Sequence, residues 1–427
     1  MPQIRTITQP VRAKLSVPGS KSITQRALLL GALADGVCEI SNMHMNATTQ
    51  NMIKALSQLG IAIQSDEQAK SCIIAGCNGK IPKKQATVWC NASNTVLQFL
   101  IAACSISPGV YYFDGDKKLH QHANLQLLEI LKHHGVKLTP PDTLALPFTL
   151  EGLDSLEGSE VALESSISSI MISALLMIAP FARSSFTFNL SDYNKTLVEL
   201  TCTMMGEFGV LVHHIHQGQL MVPIPQRYQA QDYVVEPDFT LIAYFFAAAA
   251  ITRSEITIQG AKRNSFKQID SKFILVLEKM GCEITETRYG LTIQGPKQLQ
   301  GVEISMQNFT DTFLILSVIA LFAKSPTHIN HLGPMQEKEL ARMTMIKDQL
   351  IKIGIHVESG PDWLKIFPSI PKASIIEPIS DPHIAMALSL IALKTPGINL
   401  KNAQQIEKIC PEFFKLLNQL TEDLRVC

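Results

Sequence analysis

The sequence lacks an excess of charge of either sign, because its 37 lysines and arginines balance its 37 aspartates and glutamates. This balance argues against broad binding of nucleic acid or of an anionic membrane, so any anion site must be local. No apolar run reaches the roughly 18 to 20 residues that cross a bilayer, and no signal-peptide pattern opens the chain. We therefore expect a cytoplasmic protein that binds neither nucleic acid nor membrane.

Cysteine pairs spaced for zinc or redox chemistry are also missing. The nine cysteines are scattered and odd in number, as expected for reduced, mostly buried thiols. Histidines cluster at His133-His134 and at His213-His214 with His216, but no carboxylate or cysteine lies nearby at ligand spacing. We interpret these histidines as surface residues near helix ends, and we predict neither a metal nor a cofactor.

The chain contains an internal repeat. An amphipathic helix that ends in glycine, followed by a short strand, occurs five times, and Phe413 begins a sixth copy. The glycines stand at spacings of 75, 74, 72 and 73 residues: Gly60, Gly135, Gly209, Gly281 and Gly354. Because 427 residues exceed one ordinary core, six modules of roughly 70 residues predict two domains of three modules each.

A second helix in each module is apolar on every side. Such helices must be buried on all sides. They are predicted at 26–36, 95–109, 169–182, 240–254, 312–326 and 383–397. The predicted fold class is therefore α/β (α+β), with two similar domains of three strand-helix-strand-helix-strand modules that cover buried helices with sheets.

Polar residues stand immediately before each buried helix. Ser, Thr and Asp are ordinary helix caps, so each cluster alone has a structural explanation. The clusters coincide, however, with charges that capping does not need, and positive helix ends favour an anionic ligand. The charged residues are Lys21, Arg26, Lys338, Glu339, Arg342 and Lys408.

The stretch from Val17 to Leu28 resembles the L-P-G-S-K-S-x-S-x-R-A segment of 5-enolpyruvylshikimate-3-phosphate (EPSP) synthases. The segment 336–342 resembles the K-E-x-x-R motif of that family, and 406–414 resembles its A-K-T-F-P-D-F-F. Asp311 matches the aspartate of P-D-x-x-x, and Ser168-Ser169 match the two serines of S-S-Q. The resemblance covers nearly the whole chain.

The resemblance implies the enolpyruvyl transferase fold, with domains at 19–235 and at 1–18 plus 236–427. It also implies transfer of the enolpyruvyl group of phosphoenolpyruvate to the 5-hydroxyl of shikimate 3-phosphate, by a monomer without metal. Asp311 would be the base, and Glu339 with Lys21 the proton-transfer pair. The implied substrate-binding residues are Lys21, Ser22, Arg26, Thr95, Lys118, Ser168, Ser169, Asp311, Lys338, Arg342, His383 and Lys408.

Several positions depart from the family pattern, mostly on the phosphoenolpyruvate side. Asn94 replaces a glycine, where its side chain is expected to crowd the ligand, and Gln98 replaces an arginine. Lys118 and His383 stand where the family has arginines, and Ile170 replaces the glutamine of S-S-Q. An alternative hypothesis is therefore a divergent paralogue that binds a phosphorylated ligand with an altered donor or acceptor, or with weak or no catalysis.

The related transferases that act on UDP-N-acetylglucosamine share the implied fold. They typically have an asparagine after the first-module lysine and a catalytic cysteine in the loop that corresponds to 114–120. Here the lysine is followed by Ser22, and the loop contains no cysteine. Both differences argue against that family. A nucleic-acid role like that of the RNA cyclases has even less support, because no histidine motif of those enzymes is evident.

Overall fold

The computed structural model describes residues 4–122, 125–141, 144–163, 167–190, 195–216, 218–265, 267–306, 312–332, 337–376, 381–401 and 404–422. These residues form two compact units, each with its own hydrophobic core. One unit is Pro18–Glu236. The other contains the described residues up to Val17 and from Pro237 onward. We call them the N-terminal and the C-terminal unit.

The strands are short and the helices alternate with them. In chain order the strands are β1 (Arg12–Leu15), β2 (Val37–Ser41), β3 (Ala62–Asp66), β4 (Ser71–Ala75), β5 (Gln85–Trp89), β6 (Gly109–Asp114), β7 (Lys137–Thr139), β8 (Phe148–Gly152), β9 (Glu160–Leu163), β10 (Phe186–Leu190), β11 (His213–His216), β12 (Gln219–Val222), β13 (Tyr233–Val234), β14 (Glu255–Gln259), β15 (Glu283–Thr287), β16 (Gly290–Gln294), β17 (Glu303–Ser305), β18 (Thr327–Asn330), β19 (Val357–Ser359), β20 (Leu364–Ile366), β21 (Ile375–Ile376) and β22 (Asn399–Leu400).

The α-helices are α1 (Lys21–Leu33), α2 (Ala47–Gln58), α3 (Asn94–Ser105), α4 (Lys117–His122), α5 (Gln126–His133), α6 (Ser169–Ile178), α7 (Lys195–Glu207), α8 (Phe239–Thr252), α9 (Phe273–Lys279), α10 (Phe313–Ile319), α11 (Glu337–Lys352), α12 (Pro382–Ala392), α13 (Gln404–Ile409) and α14 (Phe413–Glu422). Short 3-10 turns extend α6 and α10 and precede α9: Ala179–Phe181, Ala320–Phe322 and Ile269–Lys272.

Five of the six sheets in the described part of the chain have the same internal order. A first strand, a buried helix and a parallel second strand are followed by a second helix and by an antiparallel hairpin whose last strand pairs with the second. The four-stranded sheets are β13-β2-β4-β3, β5-β6-β8-β7, β11-β12-β10-β9, β1-β14-β16-β15 and β17-β18-β20-β19, and the described part of the sixth is β21-β22. The repeat in the sequence is therefore a repeat in the structure.

Two sheets obtain their first strand from a distant part of the chain. Strand β13, which follows the third module, lies parallel to β2 of the first module, with Tyr233 opposite Ile40. Strand β1, near the N-terminus, lies parallel to β14 of the fourth module, with Arg12 opposite Glu255. The first and fourth modules are thus completed by segments that are not contiguous with them.

The six apolar helices form the two cores, as predicted. In the N-terminal unit α3 contacts α1 and α6, and in the C-terminal unit α8, α10 and α12 contact one another. Thirteen of the fourteen residues of α8 are buried. All six end earlier than predicted, by between two and seven residues. In α6 the regular helix stops before Pro180, which lacks the N–H that would continue it.

The five periodic glycines all end their helices in the same way. Their φ angles lie between 87° and 100°, a region that glycine enters without strain. At Gly209 the N–H donates to the carbonyl of Gly206 at 3.0 Å, and the N–H of Val210 donates to that of Met205 at 2.8 Å. This pair of bonds closes the helix and turns the chain into the next strand.

Helix α7 allows a direct test of this ending, because Gly206 lies within the helix and Gly209 lies two residues after its end. A Cβ on Gly206 would meet no atom within 4 Å, whereas Gly209 has a φ of +87°. We expect Gly206→Ala to raise the free energy of unfolding by about 0.5 kcal/mol and Gly209→Ala to lower it by about 1 kcal/mol. Chemical denaturation measures both. Equal effects of the two substitutions would contradict the assigned helix ending.

Candidate active site

Helix α1 begins without a side-chain cap among the described residues. Ser20 precedes the helix in an extended conformation, and its N–H donates to the carbonyl of Glu236 at 2.8 Å. No acidic residue stands in the first turn. The Lys21 side chain is exposed and Ser22 is half-buried. Backbone N–H groups, a hydroxyl and an ammonium group therefore lie together at a helix end that favours an anion.

Gly19 fixes this helix start against the rest of the unit. A Cβ at this position would lie 2.0 Å from the carbonyl oxygen of Asn42 and 2.6 Å from Cγ1 of Val235. Asn42 in turn donates from Nδ2 to the carbonyl of Val235 at 2.8 Å. Only glycine permits such a close approach of the backbone, so the Pro-Gly turn sets the position of α1.

Arg26, in the second turn of α1, is buried and only 2% exposed. Its Nε donates to Oγ1 of Thr201 at 2.7 Å, and its Nη2 donates to Oγ of Ser173 at 3.0 Å. Its Nη1 donates to the carbonyl of Ser22 at 3.0 Å, and its Nη2 also reaches the carbonyl of Leu197 at 3.3 Å. Four of the five N–H donors of the guanidinium are thus in use.

No carboxylate among the described residues pairs with Arg26. Its partners are hydroxyls and carbonyls, and its guanidinium carbon lies 5.7 Å from the centre of the Phe99 ring. Burial lowers the pKa of Arg26 to about 10, with a small opposing effect from Cys202. The structure therefore contains a buried cation that is solvated by neutral groups beneath the start of α1.

The hydrogen bonds of Arg26 extend to the start of α6. Thr201 Oγ1 donates to Ser173 Oγ at 2.8 Å, and Ser173 Oγ donates to the carbonyl of Ser169 at 2.7 Å. Ser168 caps α6 by accepting from the N–H of Met171 at 3.3 Å. Both serines at the helix start are half-exposed. The starts of α1 and α6 are consequently held by one polar network.

The start of α3 is tied to the segment between β6 and α4, the helix that carries Lys118. The N–H of Cys90 donates to the carbonyl of Asp114 at 2.9 Å, and the N–H of Asp116 donates to that of Asn91 at 2.8 Å. Because β5 and β6 are parallel neighbours, the segments that follow them emerge at the same sheet edge. Half-exposed Thr95 and exposed Lys118 therefore belong to adjacent segments.

Positions that depart from the family pattern occur in these same segments. Gln98 Nε2 donates to Asn94 Oδ1 at 3.3 Å, and the backbone of Asn94 is helical and needs no glycine. The side chains of Asn94 and Gln98 are thus paired with each other. In the neighbouring helix α4, His120 Nε2 lies 2.7 Å from Oδ1 of Asp114.

In the C-terminal unit, the start of α8 is occupied by acceptors of the protein itself. Asp238 accepts from the N–H of Leu241 at 3.2 Å, and Gln268 Oε1 accepts from the N–H of Phe239 at 3.0 Å. The hydroxyl of the second residue of the helix donates to the carboxylate of Asp270. Carboxylates here neutralise the positive helix end, unlike at the start of α1.

Asp381 performs two functions at the start of α12. Its Oδ1 accepts from the N–H groups of His383 at 2.8 Å and Ile384 at 3.3 Å, and its Oδ2 accepts from Nε of Arg342 at 2.6 Å. Burial alone would raise the pKa of Asp381, but the hydrogen bond and charge of Arg342 hold it below its usual range. Tyr244 donates its hydroxyl to the carbonyl of His383 at 3.1 Å.

Comparison with known proteins identifies the relatives of this architecture. The profile of the EPSP synthase family (3-phosphoshikimate 1-carboxyvinyltransferase) matches residues 5–417. A 3-phosphoshikimate 1-carboxyvinyltransferase of Nostoc punctiforme is 35% identical over 423 residues, which cover 98% of this chain and 99% of the relative. This chain belongs to the EPSP synthase family. The prediction made from the sequence motifs is confirmed.

Solved structures show the same fold. EPSP synthase from Acinetobacter baumannii superposes with a TM-score of 0.85 at 20% identity, covering 98% of this chain and 97% of that one. The enolpyruvyl transferase NikO from Streptomyces tendae gives 0.71 at 16% identity, covering 98% and 95%. The chloroplastic 3-phosphoshikimate 1-carboxyvinyltransferase of Petunia hybrida is 31% identical over 440 residues, covering 97% of this chain and 85% of the relative.

The structure shows where some of the predicted substrate-binding and catalytic residues lie. Ser22, Arg26 and Ser169 share one network, and Arg342 and His383 meet at Asp381. Asp311 lies outside the described residues. The backbones of Lys338, Glu339 and Lys408 lie in α11 and α13, but their side chains are outside the description. The substrate-binding and catalytic roles of all these residues remain predictions.

Sequence reasoning missed the partners of Arg26. Ser173 and Thr201 are buried hydroxyls in helices, 147 and 175 residues from Arg26 in the chain. A serine one turn after Ser169 in an otherwise apolar helix was the available signal. Among the described residues, no three histidine, cysteine or acidic side chains are close enough to share a metal ion. No helix described is both long and apolar enough to span a membrane.

The ion pair between Asp381 and Arg342 leads to a prediction about the free energy of unfolding. The two side chains are only 12% and 8% exposed, so Asp381→Asn removes a carboxylate that accepts from the buried guanidinium at 2.6 Å. We expect a loss of about 3 kcal/mol in the free energy of unfolding at pH 7. Because folding lowers the pKa of Asp381, its contribution is present above the ordinary value of 3.8 and is lost as the pH falls below it.

Denaturant titrations at pH 7 and below pH 4 measure this difference. The gap between the wild type and Asp381→Asn should narrow at the lower pH. Asp348→Asn, at an exposed position of α11, is the matched control and should change stability by less than about 0.5 kcal/mol. A gap that is constant with pH would show that the charge of Asp381 is not what stabilises this helix start.

Proposed function

We propose that this protein is a 3-phosphoshikimate 1-carboxyvinyltransferase. It transfers the enolpyruvyl group of phosphoenolpyruvate to the 5-hydroxyl of shikimate 3-phosphate and releases phosphate. The observation that carries the proposal is the uncapped start of α1, with Lys21 and the Arg26 network joined to the start of α6. Family membership over nearly the whole chain supports the choice of substrates.

In this reaction the 5-hydroxyl oxygen bonds to C2 of phosphoenolpyruvate while C3 gains a proton. The tetrahedral intermediate then loses a proton from C3 and phosphate from C2, which restores the double bond. The reaction needs a base for the hydroxyl and an acid for the carbon. By the sequence motifs, Asp311 is the proposed base and Glu339 with Lys21 the proton-transfer pair.

The anionic groups of both substrates need cations and N–H donors in a site of low dielectric. We assign shikimate 3-phosphate to Ser22, Arg26, Ser168, Ser169 and Lys338. We assign phosphoenolpyruvate to Lys118, Arg342, His383 and Lys408, and Thr95 to the wall of the site at α3. The protein is proposed to act as a cytoplasmic monomer with no cofactor.

A steady-state assay for phosphate release tests the function. Release that requires both phosphoenolpyruvate and shikimate 3-phosphate is the expected result, with the enolpyruvyl product identified by mass spectrometry. Binding of shikimate 3-phosphate without any turnover would favour the paralogue hypothesis, which the departures at Asn94, Gln98 and His383 motivated. Absence of both binding and turnover would refute the proposal.

Lys21 gives a specific prediction for this site. Lys21→Ala removes the exposed ammonium at the start of α1, so the affinity for shikimate 3-phosphate should fall by about tenfold or more. Lys54→Ala, at a lysine on α2 that is also exposed, is the matched control and should leave the affinity unchanged. Titration calorimetry measures both. Unchanged affinity in Lys21→Ala would remove this lysine from the site.

Substitution of Arg26 distinguishes a role in ligand binding from a role in stability. In Arg26→Met a neutral side chain of similar length replaces the buried cation, and the Ser173 and Thr201 hydroxyls keep each other as partners. We expect the free energy of unfolding to change by less than about 1.5 kcal/mol, because no counter-charge is left behind. Affinity for shikimate 3-phosphate should fall by about tenfold or more. Full affinity in a folded variant would show that Arg26 is structural only.

A further inference from the structure

The amide pair of Asn94 and Gln98 lies at the start of α3. Asn94 is the first residue of the helix and is half-buried, whereas Gln98, one turn later, is fully buried with 0% exposed. Gln98 Nε2 donates to Asn94 Oδ1 at 3.3 Å. Residues four apart lie on the same helix face, so the interior glutamine reaches outward to the residue at the helix end.

This hydrogen bond distinguishes the two ends of the Asn94 amide. A carboxamide carries its oxygen and its amino group on opposite sides of Cγ. Because Oδ1 accepts from buried Gln98, the Nδ2 amino group lies on the other side of Cγ from that contact. Asn94 therefore presents two N–H donors where a glycine would present none beyond its backbone.

The surroundings of this amino group favour an anion. The helix end is positive, and Ser93, the cap, is a neutral hydroxyl that accepts from the N–H of Val96 at 3.3 Å. The adjoining helix α4 begins with exposed Lys117 and Lys118. The carboxylate of Asp114, at the end of β6, already accepts from the N–H of Gly115 at 2.8 Å and contacts His120 of α4.

We propose that Asn94 is a substrate-binding residue that donates a hydrogen bond from Nδ2 to an oxyanion of the enolpyruvyl donor. Gln98 is its positioning residue, which holds the amide in the donating orientation from inside the unit. The identity of the ligand rests on the function proposed above. The side chain at residue 94 is then a replacement donor rather than an obstruction of the site.

Substitution of Asn94 tests the direct contact. Asn94→Asp keeps the shape but replaces the amino group with a carboxylate oxygen, which repels an anion. The dissociation constant for phosphoenolpyruvate, measured by calorimetry, should rise by about tenfold or more, while that for shikimate 3-phosphate changes by less than about twofold. Asn94→Ala serves as a second variant, with a smaller rise in the same constant.

Substitution of Gln98 tests the positioning. Gln98→Met keeps the length and neutrality of the buried side chain but removes the donor to Oδ1, so the Asn94 amide is free to rotate. The KM for phosphoenolpyruvate should rise by about threefold with kcat and the KM for shikimate 3-phosphate unchanged. Gln50→Met, on the exposed face of α2, makes the same chemical change away from the site and should alter neither constant.

The outcomes separate this inference from the proposed function. Wild-type protein that binds phosphoenolpyruvate without turnover refutes the proposed function. The inference about Asn94 is still decided in that case, because the dissociation constant for phosphoenolpyruvate can be compared between the wild type and Asn94→Asp. Unchanged phosphoenolpyruvate affinity in folded Asn94→Asp overturns the inference, whether or not the enzyme turns over. An equal loss of affinity for both substrates also overturns it, because that result indicates general damage to the unit.

Discussion

A helix that is apolar on every side is stable only where other elements cover it completely, and this requirement organises the whole chain. Each module contributes one such helix, and its own sheet covers one side of it. Three modules together bury their helices against one another, as α8, α10 and α12 do. The first and fourth modules must also obtain a first strand from elsewhere, and β13 and β1 provide it.

The same burial determines where polar chemistry can occur. The first N–H groups of a buried helix have no partner within the helix, so they need a cap, water or a ligand. The starts in the N-terminal unit that are described have neutral caps or none, and Lys21 and Arg26 add positive charge there. In the C-terminal unit Asp238 and Asp381 supply carboxylates to α8 and α12. Charge differs between modules that have the same backbone plan.

Features that depend on local sequence could be predicted, and features that depend on distant partners could not. The periodic glycines revealed the module because each must adopt a positive φ at a helix end. The apolar helices were evident for a similar reason, although their ends were displaced where Pro180 stops a helix. By contrast, Thr201 is 175 residues from Arg26, and nothing in either local segment indicates that they meet. Motif resemblance identified Arg26 as important but did not show that four of its donors are bound to the protein.

That arrangement bears on how ligand binding and folding are connected. Desolvation makes a buried guanidinium costly, as its lowered pKa shows, and hydroxyls and carbonyls offset this cost only in part. A carboxylate partner within the unit would remove the cost but would also cancel the field at the start of α1. With neutral partners, the charge is instead available to an anion at that helix start, as the proposed function requires. Any such ligand must also stabilise the folded state, by about 2.7 kcal/mol at a concentration one hundred times its dissociation constant. On the binding role proposed for Arg26, part of that stabilisation would come from the buried cation, because its partners within the unit are neutral.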